Sequence, residues 1–300
     1  MVRFTLVAGA AGGSGAGRSP QRQRMKIRYG YDFTMELFQP TPMVCLLTVH
    51  DERANDMVVP EAVITQPEVA TRTYRDMFGN TCRRFVAPTG FFQIWGDGTV
   101  RDPGILDPQY PQAAEVPVGD LPDACLVYLM GSRYCETDRL SQTAWDLFGN
   151  TTPGWSRVQA ICDYVHGHIA FDYSNARATR TALEAWQEKT GVCRDFAHLA
   201  VTLCRCMNIP ARYVNGYLGD FDEIIESPAD FCAWMEVWLD GGWVTFDPRN
   251  NRRRRGRIVV ARGRDAADIP LINSFGPHTL SNFRVWTYDV TDLPPPPPIN

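Results

Sequence analysis

The chain has 300 residues, with 30 basic and 34 acidic side chains and a net charge of −4. That sign excludes a dedicated nucleic-acid binder, which shows a basic excess, and no run reaches the ~18 apolar residues of a membrane span. With 44% hydrophobic residues, the chain can bury a sizeable core, and its length suits about two domains.

Nine cysteines stand at positions 45, 82, 125, 135, 162, 193, 204, 206 and 232. Secreted disulfide frameworks are short, even-numbered and cysteine-dense. No CxxC repeats, and Cys204 and Cys206 are too close for the usual zinc spacing. These cysteines therefore read as small buried hydrophobes in a reducing compartment. The expectation is a cytoplasmic protein with no metal and no cofactor.

Residues 1–24 begin with a charge and a short apolar stretch that dilutes into Gly and Ser. They read as a flexible leader, with Met25 as the natural start and a weak secretion signal as the alternative. Residues 25–118 read as an antiparallel β-domain. From Lys26 to Leu37 the residues Ile27, Tyr29, Tyr31, Phe33, Met35 and Leu37 alternate strictly, the mark of a half-buried strand. Strand patterns recur at Met43–Val49, Met57–Ile64, Thr81–Val86 and Phe91–Trp95. The triplet Gly96-Asp97-Gly98 reads as a hairpin turn returning Thr99-Val100.

Residues 119–290 read as an α+β domain. Leu126 to Met130 is a last strand or a link, and Asp138–Phe148 a short helix. Thr152-Pro153 offers an N-cap and first-position proline for a helix to about His168. Thr181 and Glu184 form a capping-box pattern for a helix ending at Gly191. Val192–Met207 is the strongest helical pattern, with Val192, Phe196, Leu199, Leu203 and Cys206 on one face. Strands resume at Ala211–Tyr217, Phe231–Leu239 and Trp243–Phe246, and residues 291–300 form a proline-rich tail.

Cys193 opens that strongest helix, where unpaired N–H groups and the positive end of the helix dipole favour thiolate over thiol. The small residues Ala197, Ala200 and Cys204 behind it make the helix central. Alone, such a cysteine is more often a buried structural residue. It is followed by Asn208-Ile-Pro-Ala-Arg-Tyr-Val-Asn-Gly216, then Phe231-Cys-Ala-Trp-Met-Glu-Val-Trp238, a turn at Asp240-Gly-Gly242, and Trp243-Val-Thr-Phe-Asp-Pro248. In this order and spacing the chain resembles the transglutaminase-like superfamily of cysteine acyl-transfer enzymes over roughly residues 155–250. The resemblance implies a papain-like core, with a helix-borne cysteine packed on an antiparallel sheet, and a peptide or protein substrate.

The resemblance further implies a Cys–His–Asp triad with Cys193 as nucleophile and Asp247 as the acid. The histidine position, directly before Ala-Trp, is Cys232. A triad histidine accepts the thiol proton and later protonates the leaving group; a thiol is a weak base at neutral pH. Of the five histidines, His198 lies five residues past Cys193, about 140° around the helix at ~100° per residue. His166 and His278 remain as candidates to replace the missing base. Asp195 either tunes the site or simply favours the first helical turn. Trp186 and Trp234 either line a substrate groove or belong to the core, as do Trp238 and Trp243. Arg252–Arg255 reads as a solvated loop.

Three functions stay open on these residues. One is an acyl-transfer enzyme hydrolysing or transamidating amides through Cys193. Another is a catalytically degenerate relative that binds peptides or supports the fold. The third is a dithiol redox or metal site at Cys193 and Cys232.

Overall fold

The computed structural model describes residues 25–219, 221 and 230–292; the leader at 1–24 and the prolines at 294–298 lie outside the described residues. In the first half, β1 (Met25–Leu37), β2 (Thr41–Cys45), β3 (Met57–Gln66), β4 (Arg72–Arg75), β5 (Thr81–Ala87) and β6 (Gly90–Asp102) follow one another without a long helix. The alternation in β1 is realised, with residues 27, 29, 31, 33, 35 and 37 all buried.

The hairpin expected at residues 96–98 does not form. β6 runs straight through, paired with β1 from Gly90 to Asp102. The glycines serve packing instead: a Cβ at Gly96 would meet the Tyr31 ring at 2.7 Å, and one at Gly98 the Tyr29 hydroxyl at 2.6 Å. The tyrosine rings of β1 lie over both positions, so only glycine fits the strand there. Asp97 between them accepts from Arg28 Nε and Trp286 Nε1, each at 2.9 Å.

The second half holds α1 (Asp123–Leu126), α2 (Thr137–Phe148), α3 (Trp155–His168), the two-residue strands β7 (Ala170–Phe171) and β8 (Thr190–Gly191), α4 (Ala182–Glu188) and α5 (Cys193–Cys206). The strands β9 (Ala211–Leu218), β10 (Phe231–Leu239), β11 (Gly242–Phe246), β12 (Arg257–Gly263), β13 (Ile272–Ser274) and β14 (His278–Asp289) complete the chain. Residues 126–130 are thus the end of a short helix and turns, not a strand. The capping box of α4 forms, with Thr181 Oγ1 accepting from Glu184 N and Glu184 Oε2 from Thr181 N. α4 ends at Lys189, in the left-handed region at φ 56°, rather than at Gly191. Nor does Thr152 cap α3: Gly154 does, at φ 90°, and Glu115 from outside the helix accepts its N–H.

Three four-stranded sheets result, in the orders β14-β1-β6-β3, β11-β10-β9-β12 and β13-β2-β5-β4. The last strand, β14, returns to pair with β1 along nearly its whole length. One hydrophobic cluster joins β1 to the second sheet, through Tyr29, Phe33, Tyr213, Tyr217, Phe231 and Ile258. α5 is the central helix: every residue from Asp195 to Cys206 is buried. Phe196, Leu199 and Leu203 face the second cluster, with α2, α3 and β10. Each such side chain contributes about 1.5–3 kcal/mol on burial. Among the described residues, no helix is long and apolar enough to cross a membrane.

Candidate active site

α5 begins at Cys193 because the chain before it is pinned. Asp195 Oδ2 accepts from Val192 N at 2.9 Å and pairs with Arg180 Nη1 at 3.0 Å. Burial pushes the Asp195 carboxyl up, against the pull of those donors and of the Arg194 charge. Gly191 closes the corner, since a Cβ there would meet Asp195 Oδ2 at 2.6 Å. Asp195 is therefore an internal anchor for the helix start, out of reach of a ligand.

The Cys193 thiol lies half-buried against β10. The Cys232 Sγ–H donates to Ala233 O at 3.8 Å. The Cys232 side chain, the Ala233 N–H and the Arg249 charge hold the Cys193 thiol below its ordinary range against burial and Asp230. The Cys232 thiol goes the other way, pushed up by Cys193 and by burial, with Asp247 adding to the rise. Together they form a pair that loses its first proton from Cys193 and keeps the second on Cys232.

Asp247 follows β11. The register Met235↔Phe246, carried on by one residue, sets it opposite Trp234, as the turn spacing implied. The turn itself is tight, with Asp240 at φ 48° and Gly241 at φ 79°. Asp247 Oδ2 accepts from Arg257 Nη2 at 2.8 Å and Asn250 Nδ2 at 2.7 Å, while Oδ1 accepts from Asn250 N at 2.9 Å. Burial raises its carboxyl, but Arg257 and Asn250 outweigh that and hold it below the usual carboxylate range. Where a triad acid would orient an imidazole, this one is bound to a guanidinium. Arg257 also acts electrostatically on Cys232 and lies 5.0 Å from the Trp234 ring centroid.

Among the described residues, His166, His168, His198 and His278 make the following contacts. His166 Nδ1 meets Arg249 O at 2.9 Å, and His168 Nε2 meets Trp186 O at 2.7 Å. His278 is exposed near Gly276. His198 is fully buried, stacked 5.1 Å from Tyr134, with Nε2 accepting from Ala266 N. Burial and two arginines lower it far below the usual imidazole range, so it stays neutral.

Trp234 is 1% exposed, a core residue rather than a groove wall. Trp186 is half-buried, packs against the second cluster and donates to Tyr164 Oη at 2.9 Å. Three neighbours of the thiols went unnoticed in the sequence: Tyr173, Arg249 and Arg257. Burial, Asp230 and the two thiols push Tyr173 up to about 12. Arg249 and Arg257 flank a run read as solvated, yet within that run Arg254 is buried and donates to Gly219 O at 3.2 Å. All nine cysteines are unpaired, and no group of three or more His, Cys, Asp or Glu side chains could hold a metal among the described residues.

Residues 141–248 match the Transglutaminase-like superfamily. A crystal structure from Cytophaga hutchinsonii, of a protein described as a proposed cysteine protease, superposes with a TM-score of 0.78 at 29% identity. It covers 89% of this chain and 91% of that one. An uncharacterized Mycobacterium leprae protein is 34% identical over 119 residues, 38% of this chain and 39% of its own. An uncharacterized Mycobacterium bovis protein is 40% identical over 145 residues, 45% of this chain and 46% of its own. The chain thus spans less than half the length of these two relatives.

Proposed function

From its membership of the transglutaminase-like superfamily through residues 141–248, we propose that the protein is a thiol acyl-transfer enzyme that hydrolyses amides of peptides or proteins, with Cys193 as nucleophile. The observation that carries this reading is the placement of Cys193 as the first residue of α5, packed against the strand β10 that bears Cys232. A thiolate–imidazolium pair holds one proton between two groups. A thiolate–thiol pair holds one proton as well, with one unit less positive charge, and Arg257 and Arg249 supply positive charge nearby.

The chemistry then balances. The Cys193 thiolate adds to the carbonyl carbon, and the C=O π pair moves to oxygen. Ala233 N–H and the N–H groups of Cys193 and Arg194 at the start of α5 are the donors at hand for developing negative charge, whereas Asp195 N–H is taken by Val192 O. Collapse breaks the C–N bond, and the amine leaves with the Cys232 proton. Cys232 is now a thiolate with a raised pKa, a better base than an ordinary thiol, and takes a proton from water as hydroxide adds to the thioester. Expulsion of Cys193 restores the starting pair. Asp247 acts as a positioning residue by fixing Arg257.

The resemblance to a proposed cysteine protease over nine-tenths of the chain supports hydrolysis over transamidation. Nine unpaired cysteines support a reducing compartment, the cytoplasm in this reading. The test is acyl-enzyme trapping: the chain is incubated with peptide thioesters and p-nitrophenyl esters, quenched in acid, and read by intact and peptide mass spectrometry. One acyl group on Cys193, turned over on a slower timescale and absent in Cys193→Ser, is the expected result. Equal acyl occupancy on several cysteines, with no turnover, would leave the degenerate relative as the correct reading.

A further inference from the structure

A cavity of about 430 Å³ opens at the start of α5, lined by Arg194 but by neither thiol. Its apolar walls come from β1 and β14, through Phe33, Met35 and Phe283, and from Ile269 on the connection between β12 and β13. Its polar lining includes Arg194, Asn215 and His278. The first two tie it to the elements that hold the nucleophile. Arg194 follows Cys193 in α5, and Asn215 on β9 is the register partner of Ala233, a member of the cluster on which Cys193 packs. Tyr213, on the same wall, feels the charge of Cys193 and Cys232.

The polar groups here are incomplete. Asn215 is 8% exposed, and its Oδ1 is buried with no hydrogen-bond partner. Arg194 stacks 5.6 Å from the Tyr134 centroid, and its Nε–H is likewise buried without a partner. An unpaired buried polar group costs about 1–3 kcal/mol, so its persistence at a cavity wall calls for a ligand that completes it. One acceptor and one donor, set at the edge of an apolar chamber, match the N–H and C=O of a peptide unit. A fatty acyl chain fits the apolar walls but leaves both polar groups unmet.

We infer that this cavity is the side-chain pocket of the enzyme, taking a bulky aliphatic or aromatic residue whose main-chain carbonyl is the one attacked by Cys193. The inference rests on the acyl-transfer reading and names its substrate class. Asn215 and Arg194 hold the peptide units on either side of that residue, and the volume excludes small or charged side chains only by failing to reward them. The selectivity is therefore graded: each tenfold preference corresponds to about 1.4 kcal/mol of differential binding.

The experiment measures second-order labelling of Cys193 by acetyl-phenylalanyl, acetyl-leucyl, acetyl-aspartyl and acetyl-glycyl chloromethyl ketones, with iodoacetamide as the side-chain-free reference and a lauroyl chloromethyl ketone as the lipid-like one. The phenylalanyl and leucyl reagents are expected to exceed the glycyl reagent at least tenfold after normalisation to iodoacetamide. Asn215→Leu, which keeps the wall apolar, is expected to reduce that ratio to threefold or less. A flat series, or a lauroyl reagent faster than the peptidyl ones, would overturn the pocket assignment while leaving the nucleophile in place. Binding of N-acetylphenylalaninamide over N-acetylglycinamide to the whole chain, followed by NMR titration, tests the pocket independently of the thiol. Equal affinities there would overturn it; a preference together with an unreactive Cys193 would show that the acyl-transfer reading, not the pocket, had failed.

Discussion

Replacing Arg257 by Met tests how the acid of the site is held. Arg257 and Asp247 side chains are 8% and 2% exposed, and their ion pair is 2.8 Å long. Methionine keeps most of the aliphatic bulk but strands the Asp247 carboxylate among buried groups. Breaking a buried pair in this way costs about 3–5 kcal/mol. Two bonds from Asn250 remain to Asp247, so the lower end applies, about 3 kcal/mol. For a chain of this size each kcal/mol moves Tm by roughly 2–4 °C, giving a fall of about 6–12 °C. The sign with pH is fixed by the direction of the shift. Asp247 is held below its usual 3.8 in the wild type, so its stabilisation is present above that value and lost as pH falls through the folded pKa. In Arg257→Met that carboxyl rises instead, so the deficit against wild type is greatest at neutral pH and shrinks in acid. Adding Asp247→Asn to Arg257→Met removes the stranded charge and should recover at least 1 kcal/mol in a double-mutant cycle. Differential scanning calorimetry at pH 7.5 and 4.5 decides it. A loss under 1 kcal/mol, equal at both pH values, would refute the buried-pair account.

Two further outcomes follow from groups outside the thiol pair. Burial pushes Glu61 from 4.5 up to about 7, only partly offset by the bond from Val49 N. The proton it keeps stabilises the fold below the unfolded value, and that contribution is lost as pH rises through 7. Glu61→Gln should therefore be more stable than wild type by about 2–3 kcal/mol at pH 8 and equal to it at pH 4, in urea titrations. Gly191→Ala should cost about 1–3 kcal/mol, because Asp195, held by Val192 N and Arg180, cannot retreat from the new methyl group. An unchanged urea midpoint would show that the start of α5 is looser than described.

Much of this architecture was legible in the residues, and the exceptions have physical causes. α5 and the β10–β11 hairpin announce themselves because their apolar period and turn residues are local properties of the chain. The placement of Asp247 opposite Trp234 follows from that hairpin register. The turn expected at Gly96-Asp97-Gly98 failed because what those glycines accommodate, the Tyr29 and Tyr31 rings, lies 65 or more residues away in sequence. β14 escaped notice because it is mostly exposed and so shows no apolar alternation. Arg257 was hidden by its neighbours: a basic run suggests solvent, whereas here Asp107 and Asp247 make burial of a guanidinium affordable. The cysteine at position 232 could be read directly; the packing of Cys193 against β10 could be seen only once α5 and that strand were set side by side.

The central claim is that Cys193 is a stabilised thiolate without an imidazole. The most direct measurement is its alkylation rate by iodoacetamide from pH 5 to 9, read by peptide mass spectrometry in wild type and in Cys232→Ala. An unperturbed thiol gains reactivity only near its reference pKa of about 8.5. The account predicts wild-type labelling that persists well below that range and shifts upward in pH when Cys232 is removed. Wild-type labelling that rises only above pH 8, with no change in Cys232→Ala, would contradict it.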